Sequence, residues 1–200
     1  MKYLYLTLIS FSFSVVLHVD GYNYSTIQTA IDDAQTGDTV LVYQGMYYEN
    51  LKIEKSITLT SLAMFDDLEN WYGYESVTGQ YEVLNENILN TIIDGSQSES
   101  EDFHSTILLA SSEDNCISPI VMGLTIQGGL GTKVTEEIEH PMTGELVEVE
   151  RMIGGGLFSY LTNAEISFNQ FKNNGNQSVE NGGAVYAQTS IEDWGFDNRS

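Results

Sequence analysis

Apolar positions between residues 25 and 61 change their period once. Ile27, Ala30, Ile31 and Ala34 recur three and four residues apart, which puts them on one face of a helix, with Asp32 and Asp33 off that face. Ser25 and Gln28 supply a Ser-x-x-Gln capping-box pattern before the helix, and Gly37 a stop after it. A helix of about ten residues is too short to persist without a surface to pack on. From Thr39 the pattern becomes that of strands. "TVLVY" (39–43) is almost continuously apolar, "NLKIE" puts Leu51 and Ile53 on one face, and "SITLT" does the same with Ile57 and Leu59. The links between these runs are too short for the helical crossovers of a doubly wound sheet.

The same short apolar runs, ended by Gly or Asn, return in "NTIIDGS" (90–96), "HSTILLAS" (104–111), "PIVMGLTIQGG" (119–129) and "NAEISFNQFKNNG" (163–175). "GGGLFSY" (154–160) and "GGAVYAQ" (182–188) are near-copies, with Leu157 and Val185 28 residues apart. Such spacing predicts a solenoid, in which each turn buries its apolar edge only when a neighbour stacks on it. The helix is then expected to cover the open end of the first turn. Two acidic stretches break the rhythm and read as insertions, about 62–87 and about 130–152, the second a hairpin around "HPMTGE". Three to five turns are few for a solenoid. Either the chain is part of a longer protein, or the tail "SIEDWGFDNRS" (190–200) folds over the last turn.

Residues 24–61 resemble the N-terminal turn of right-handed parallel β-helix proteins of the pectin-lyase-like superfamily. The resemblance rests on a cap helix, "GDTVLV", a Gly-x-Tyr-x-Glu turn and a "KSITLTS" strand, with "TIIDG" and "IVMGLTIQGG" similar to later turns. It implies an all-β, right-handed parallel β-helix with a short N-terminal capping α-helix. "FKNN" (171–174) followed by "GGAV" (182–185) is similar to the paired repeats of polymorphic outer-membrane adhesins. There the chemistry is Gly at corners, Phe in the core and Asn in stacked amide ladders. Asn163, Asn169, Asn173 and Asn174 are expected in turn and ladder roles, the alternative being ligand contact.

The first residues bear on destination. Lys2 followed by the apolar run Tyr3–Leu17 resembles a secretory signal, with a cut after Gly21 leaving a 22–200 domain; the alternative is a buried first strand. Cys116 is the single cysteine, so no internal disulfide forms. No later run is long and apolar enough to span a membrane. The formal charge is −22, with only seven Lys and Arg, which argues against nucleic acid as a partner.

The superfamily's catalytic blocks are missing. There is no Gly-Thr-Val-Asp-Phe-Ile-Phe-Gly or Leu-Gly-Arg-Pro-Trp of pectin methylesterases, and no Gly-His-Gly or Arg-Ile-Lys of polygalacturonases. No catalytic residue is assigned. His104 and His140 lack any partner at zinc-ligand spacing. "FDDLEN" and "SSEDN" offer Ca²⁺ oxygens without the spacing of a calcium loop, so no metal residue or cofactor is assigned. The first insertion is rich in aromatics: Phe65, Trp71, Tyr72, Tyr74 and Tyr81. Such rings either stack on sugars or pack the insertion onto the solenoid. The expectation is a secreted or cell-surface binding or adhesion module for a polysaccharide or surface protein, with Trp71, Tyr72, Tyr74 and Tyr81 as candidate ligand residues. The rival is the non-catalytic N-terminal part of a polysaccharide lyase, hydrolase or pectin esterase-like enzyme whose site lies beyond residue 200.

Overall fold

A computed structural model describes residues 14–97, 103–111, 115–175 and 182–188. The chain is mostly β, with strands in parallel sheets and few helices. It opens with β1 (Val16–Val19) and α1 (Ile27–Asp33), then β2 (Thr39–Val42), β3 (Gly45–Tyr47), β4 (Leu51–Ile53) and β5 (Thr58–Ser61). A hairpin follows, β6 (Tyr72–Glu75) and β7 (Gln80–Val83), then α2 (Glu86–Asn90), β8 (Thr91–Asp94) and β9 (Ile107–Ala110). Next come β10 (Ile120–Met122), β11 (Thr125–Gln127) and a second hairpin, β12 (Thr132–Glu139) and β13 (Leu146–Ile153). The last described strands are β14 (Leu157–Tyr160), β15 (Glu165–Ser167), β16 (Gln170–Lys172) and β17 (Val185–Gln188).

Apart from the hairpins, these strands form three sheets, ordered β1-β2-β5-β10-β15, β3-β8-β11-β16 and β4-β9-β14-β17. Every pairing within the three is parallel. From β2 onward the chain visits the first, second and third sheets in fixed rotation. Leu157 pairs with Val185 in register, as their spacing predicted. One buried cluster draws on all three sheets, with Val40 and Leu59 from the first, Ile93 and Ile126 from the second, and Leu51 and Leu109 from the third.

Helix α1 buries Ile27, Ala30 and Ile31 in that cluster, and Ala34 at its C-cap joins them, the face read from the sequence. Its capping differs from the expected box. The N-cap is Thr26, not Ser25; its hydroxyl accepts from Thr29 N at 3.4 Å. Gln28 turns away because β4, outermost in the third sheet, has backbone groups with no strand beside them. The Gln28 side-chain amide takes the place of that strand. Lys52 N donates to its Oε1 at 2.8 Å, and its Nε2 donates to Lys52 O at 3.2 Å. The remaining helix-end groups meet charges from the following turn. Ile27 N and Gln28 N each donate to the Glu49 carboxylate at 2.9 Å, and Lys55 Nζ donates to the carbonyls of Ile31, Asp32 and Ala34 at 3.0, 2.7 and 2.7 Å. Each charge sits at the helix end whose dipole it opposes. Glu49→Ala removes two charge-assisted hydrogen bonds and is expected to cost about 1–3 kcal/mol, read from the denaturant midpoint. A midpoint equal to that of the parent chain would show that the carboxylate does not hold the helix.

Three further features have physical causes. Val16–Val19, within the expected export signal, forms β1 alongside β2, with Leu17 and Val19 buried. A second short helix, α2, forms between the first hairpin and β8, where Asn85 Oδ1 caps Ile88 N at 3.0 Å and Ile88 is buried. Asn169 and Asn174 do take corner roles, but they bond to the backbone of the preceding circuit instead of to stacked amides. Asn169 bridges Leu124 N and Val121 O, and Asn174 bridges Gly129 N and Ile126 O. Backbone groups at corners lack strand partners, and one amide supplies both a donor and an acceptor. The tail at 190–200 and residues 112–114 of "SSEDN" lie outside the described residues.

Candidate functional site

The links β5–β8, β10–β11 and β15–β16 all join the first sheet to the second, so they lie along one corner of the molecule. The middle link is tight: Gly123 has φ +72°, and its carbonyl accepts from Ser61 Oγ at 2.5 Å. The first link carries the insertion. Asn85 and Asn87 anchor its base through Nδ2 donations to Asp66 Oδ2 at 2.9 and 2.8 Å, which hold that carboxyl below its ordinary range. Thr125 Oγ1 donates to Ile88 O at 2.8 Å and ties α2 to β11. At the hairpin tip the Thr78 and Val77 amides donate to Glu75 and lower its pKa in the same way.

With its base fixed, hairpin β6–β7 stands beside the third link. Trp71 is half-buried and meets Phe168 edge to face, with ring centroids 6.0 Å apart. Phe168 itself has φ +54°, a left-handed conformation that turns its ring out of the corner toward the hairpin. Beyond Trp71 runs a chain of rings, Trp71–Tyr72 at 5.1 Å, Tyr72–Tyr81 at 5.8 Å and Tyr81–Tyr74 at 5.3 Å. Tyr72, Tyr74 and Tyr81 are 49, 61 and 73% exposed. The two roles expected of these aromatics are thus divided. Trp71 packs the insertion against the body, while the three tyrosines present open faces. Phe65 is exposed but lies outside this chain of rings.

Trp71, Tyr72, Tyr81 and Glu82 of the insertion face Asn169, Gln170 and Phe171 across an open cleft of about 400 Å³. The far wall had no local sequence signal. It becomes visible only once the corners are stacked, because β15–β16 then falls beside the insertion. The cleft combines apolar ring faces with the Glu82 carboxylate and the Gln170 amide, the Asn169 amide being bonded to Leu124 N and Val121 O, which suits a flat ligand that is apolar on its face and hydroxylated at its edge.

Among the described residues, three of the lysines are tied elsewhere. Lys55 is taken up by the helix carbonyls, Lys52 pairs with Glu54 at 2.9 Å and Lys133 with Glu150 at 2.5 Å. Lys172 is exposed on the outside of β16, and Arg199 lies outside the described residues. His104 bridges to Gly131, whereas His140 Nδ1 accepts from Met142 N in the turn of the second hairpin. Among the described residues no three His, Cys, Asp or Glu side chains gather as a metal site, and no helix is long and apolar enough to cross a membrane. Cleavage of a uronate polymer needs a free positive group to take a proton or neutralise the substrate carboxylate. Incubation with pectin, with or without Ca²⁺, is therefore expected to release neither unsaturated product nor methanol above a buffer control. Release of either would place catalytic groups in this chain.

Compared with known protein families and with curated proteins, the sequence matches none.

Proposed function

We propose that this chain is a secreted right-handed parallel β-helix domain that binds a neutral polysaccharide along the aromatic corner of its first insertion. Supporting the fold reading, the chain visits three parallel sheets in rotation and pairs each strand in register with its counterpart one circuit on. The hand follows from the strong right-handed preference of parallel crossover connections. The observation that carries the binding reading is the run of exposed rings Tyr72, Tyr81 and Tyr74 beside the cleft. Sugar rings with equatorial hydroxyls offer apolar faces to such rings, and Glu82 and Gln170 stand at the edges to meet hydroxyls. A net charge of −22 selects against polyanions.

Affinity electrophoresis through gels containing a neutral β-linked glucan or a polyuronate tests this reading. The neutral polymer is expected to retard the protein and the polyuronate is not. Each ring contact is worth about 0.5–1.5 kcal/mol, so Tyr72→Ala with Tyr81→Ala should weaken binding about 5- to 150-fold. Retardation of the double variant equal to that of the parent would remove the site.

A further inference from the structure

We propose that a signal peptidase cuts this chain between Ser14 and Val15, so that β1 stays in the mature protein. The inference rests on the export reading above and concerns where the leader ends. A cut after Gly21 would discard a strand that the fold uses. All four residues of β1 pair with β2, from Val16 with Thr39 to Val19 with Val42. The ladder extends past both ends, with Thr39 N donating to Val15 O at 2.9 Å and Tyr43 N to Val19 O at 3.0 Å. Leu17 and Val19 belong to the buried cluster beneath α1. Their removal would open the edge of β2 and uncover apolar side chains of the helix it supports.

The sequence offers a site just upstream of that strand. Signal peptidases require small side chains one and three residues before the scissile bond. Ser14 and Ser12 occupy those positions for a cut before Val15. Lys2 then forms the positive region, and Tyr3–Phe11 an apolar core of the usual length. Water adds across the bond between the Ser14 carbonyl carbon and the Val15 nitrogen. Ser14 leaves with the leader as a carboxylate, and the Val15 nitrogen becomes an ammonium.

The structure provides for that new charge. Val15 N donates to Asp38 Oδ1 at 2.8 Å, while Gln35 N donates to Asp38 Oδ2 at 2.8 Å. Asp38 is buried, and these amides, with Lys55 nearby, hold its carboxyl below the ordinary range. Cleavage converts the Val15 contact from an amide–carboxylate hydrogen bond into an ammonium–carboxylate pair. Ser14 loses only an exposed hydroxyl contact to Gly37 O.

Expression of the full chain in a secreting host, with intact mass and N-terminal sequencing of the exported protein, decides the matter. The expected first residue is Val15. Any other first residue in exported protein, Tyr22 above all, overturns the assignment while leaving export intact. A chain that stays in the cell with Met1 in place overturns the export reading itself, and this site with it. Ser14→Tyr alters an exposed residue outside the strand pairings and should reduce the Val15-started product at least tenfold, with precursor accumulating. Unchanged processing of that variant would also sink the proposal.

Discussion

The double variant Ile27→Asp, Ile31→Asp is expected to yield no soluble folded monomer. Both side chains are buried and pack in the cluster that also holds Leu17, Val19, Leu51 and Ile53. Burial of each isoleucine contributes roughly 1.5–3 kcal/mol, and the substitution adds a carboxylate with no partner in an apolar site. The loss therefore exceeds about 5 kcal/mol, comparable with the whole stability of a small domain. Thr29→Asp supplies the control. Thr29 is exposed in the first turn of the same helix, where a negative charge opposes the dipole. That variant should melt within a few degrees of the parent, whereas the double variant should elute as aggregate on size exclusion and show no cooperative melt. A double variant with the parental melting temperature would mean that α1 does not close this end of the core.

What could be read from the sequence alone was mostly what depends on near neighbours. The apolar face of α1, the alternation at Leu51 and Ile53, and the hairpin at 130–152 all follow from spacings of two to four residues or from a turn sequence. The Leu157–Val185 pairing was also legible, because a repeat writes a long-range contact as a local near-copy. Strand β1 was ambiguous for a different reason. A short apolar run satisfies both a leader and a buried strand, and the strand at Val16–Val19 shows only in its pairing with β2.

The contacts that escaped are those made across circuits. Glu49 reaches the first turn of α1 from beyond β3, and Lys55 reaches its last turn from beyond β4. Neither residue carries a local sign of that role. In the candidate site, the aromatic half was legible because it lies in one insertion. Phe168 and Gln170 were not, since they come beside the insertion from a segment far away in the chain, while Asn169 reads from the sequence as a turn residue. Because β5, β10 and β15 are neighbours in the first sheet and β8, β11 and β16 in the second, the links between them run side by side. An insertion at any of them must then lean on the others, and that constraint brings the two halves of the cleft together.

A single methyl group at Gly129 is expected to be the next most damaging change, in a chain that still folds. Gly129 has no φ that excludes other residues, so the constraint is space alone. A Cβ there would overlap the Gly155 carbonyl oxygen and stand 2.6 Å from Thr106 Oγ1 and 2.7 Å from Thr106 N. The overlapping oxygen belongs to backbone that is itself pinned, since Thr106 N donates to Gly155 O at 3.2 Å and Ile107 N to Gly156 O at 3.0 Å. Gly155 N and Gly156 N donate in turn to the carbonyls of Gly182 and Gly183, both at 3.1 Å. The "GGG" and "GGAV" near-copies thus mark a column where successive circuits touch backbone to backbone. A side chain cannot rotate out of such a contact, so relief requires parting β9 from β14 and breaking ladder bonds. Loss of two or three of these, with the overpacking strain, amounts to about 3–5 kcal/mol. Gly79→Ala in the exposed tip of the first hairpin has a left-handed φ of +71° but meets only Tyr74 Oη at 3.8 Å, so it should cost about 1 kcal/mol. Urea denaturation of the two variants separates crowding from backbone strain. A midpoint for Gly129→Ala at or above that of Gly79→Ala would mean that the circuits are not packed through this column.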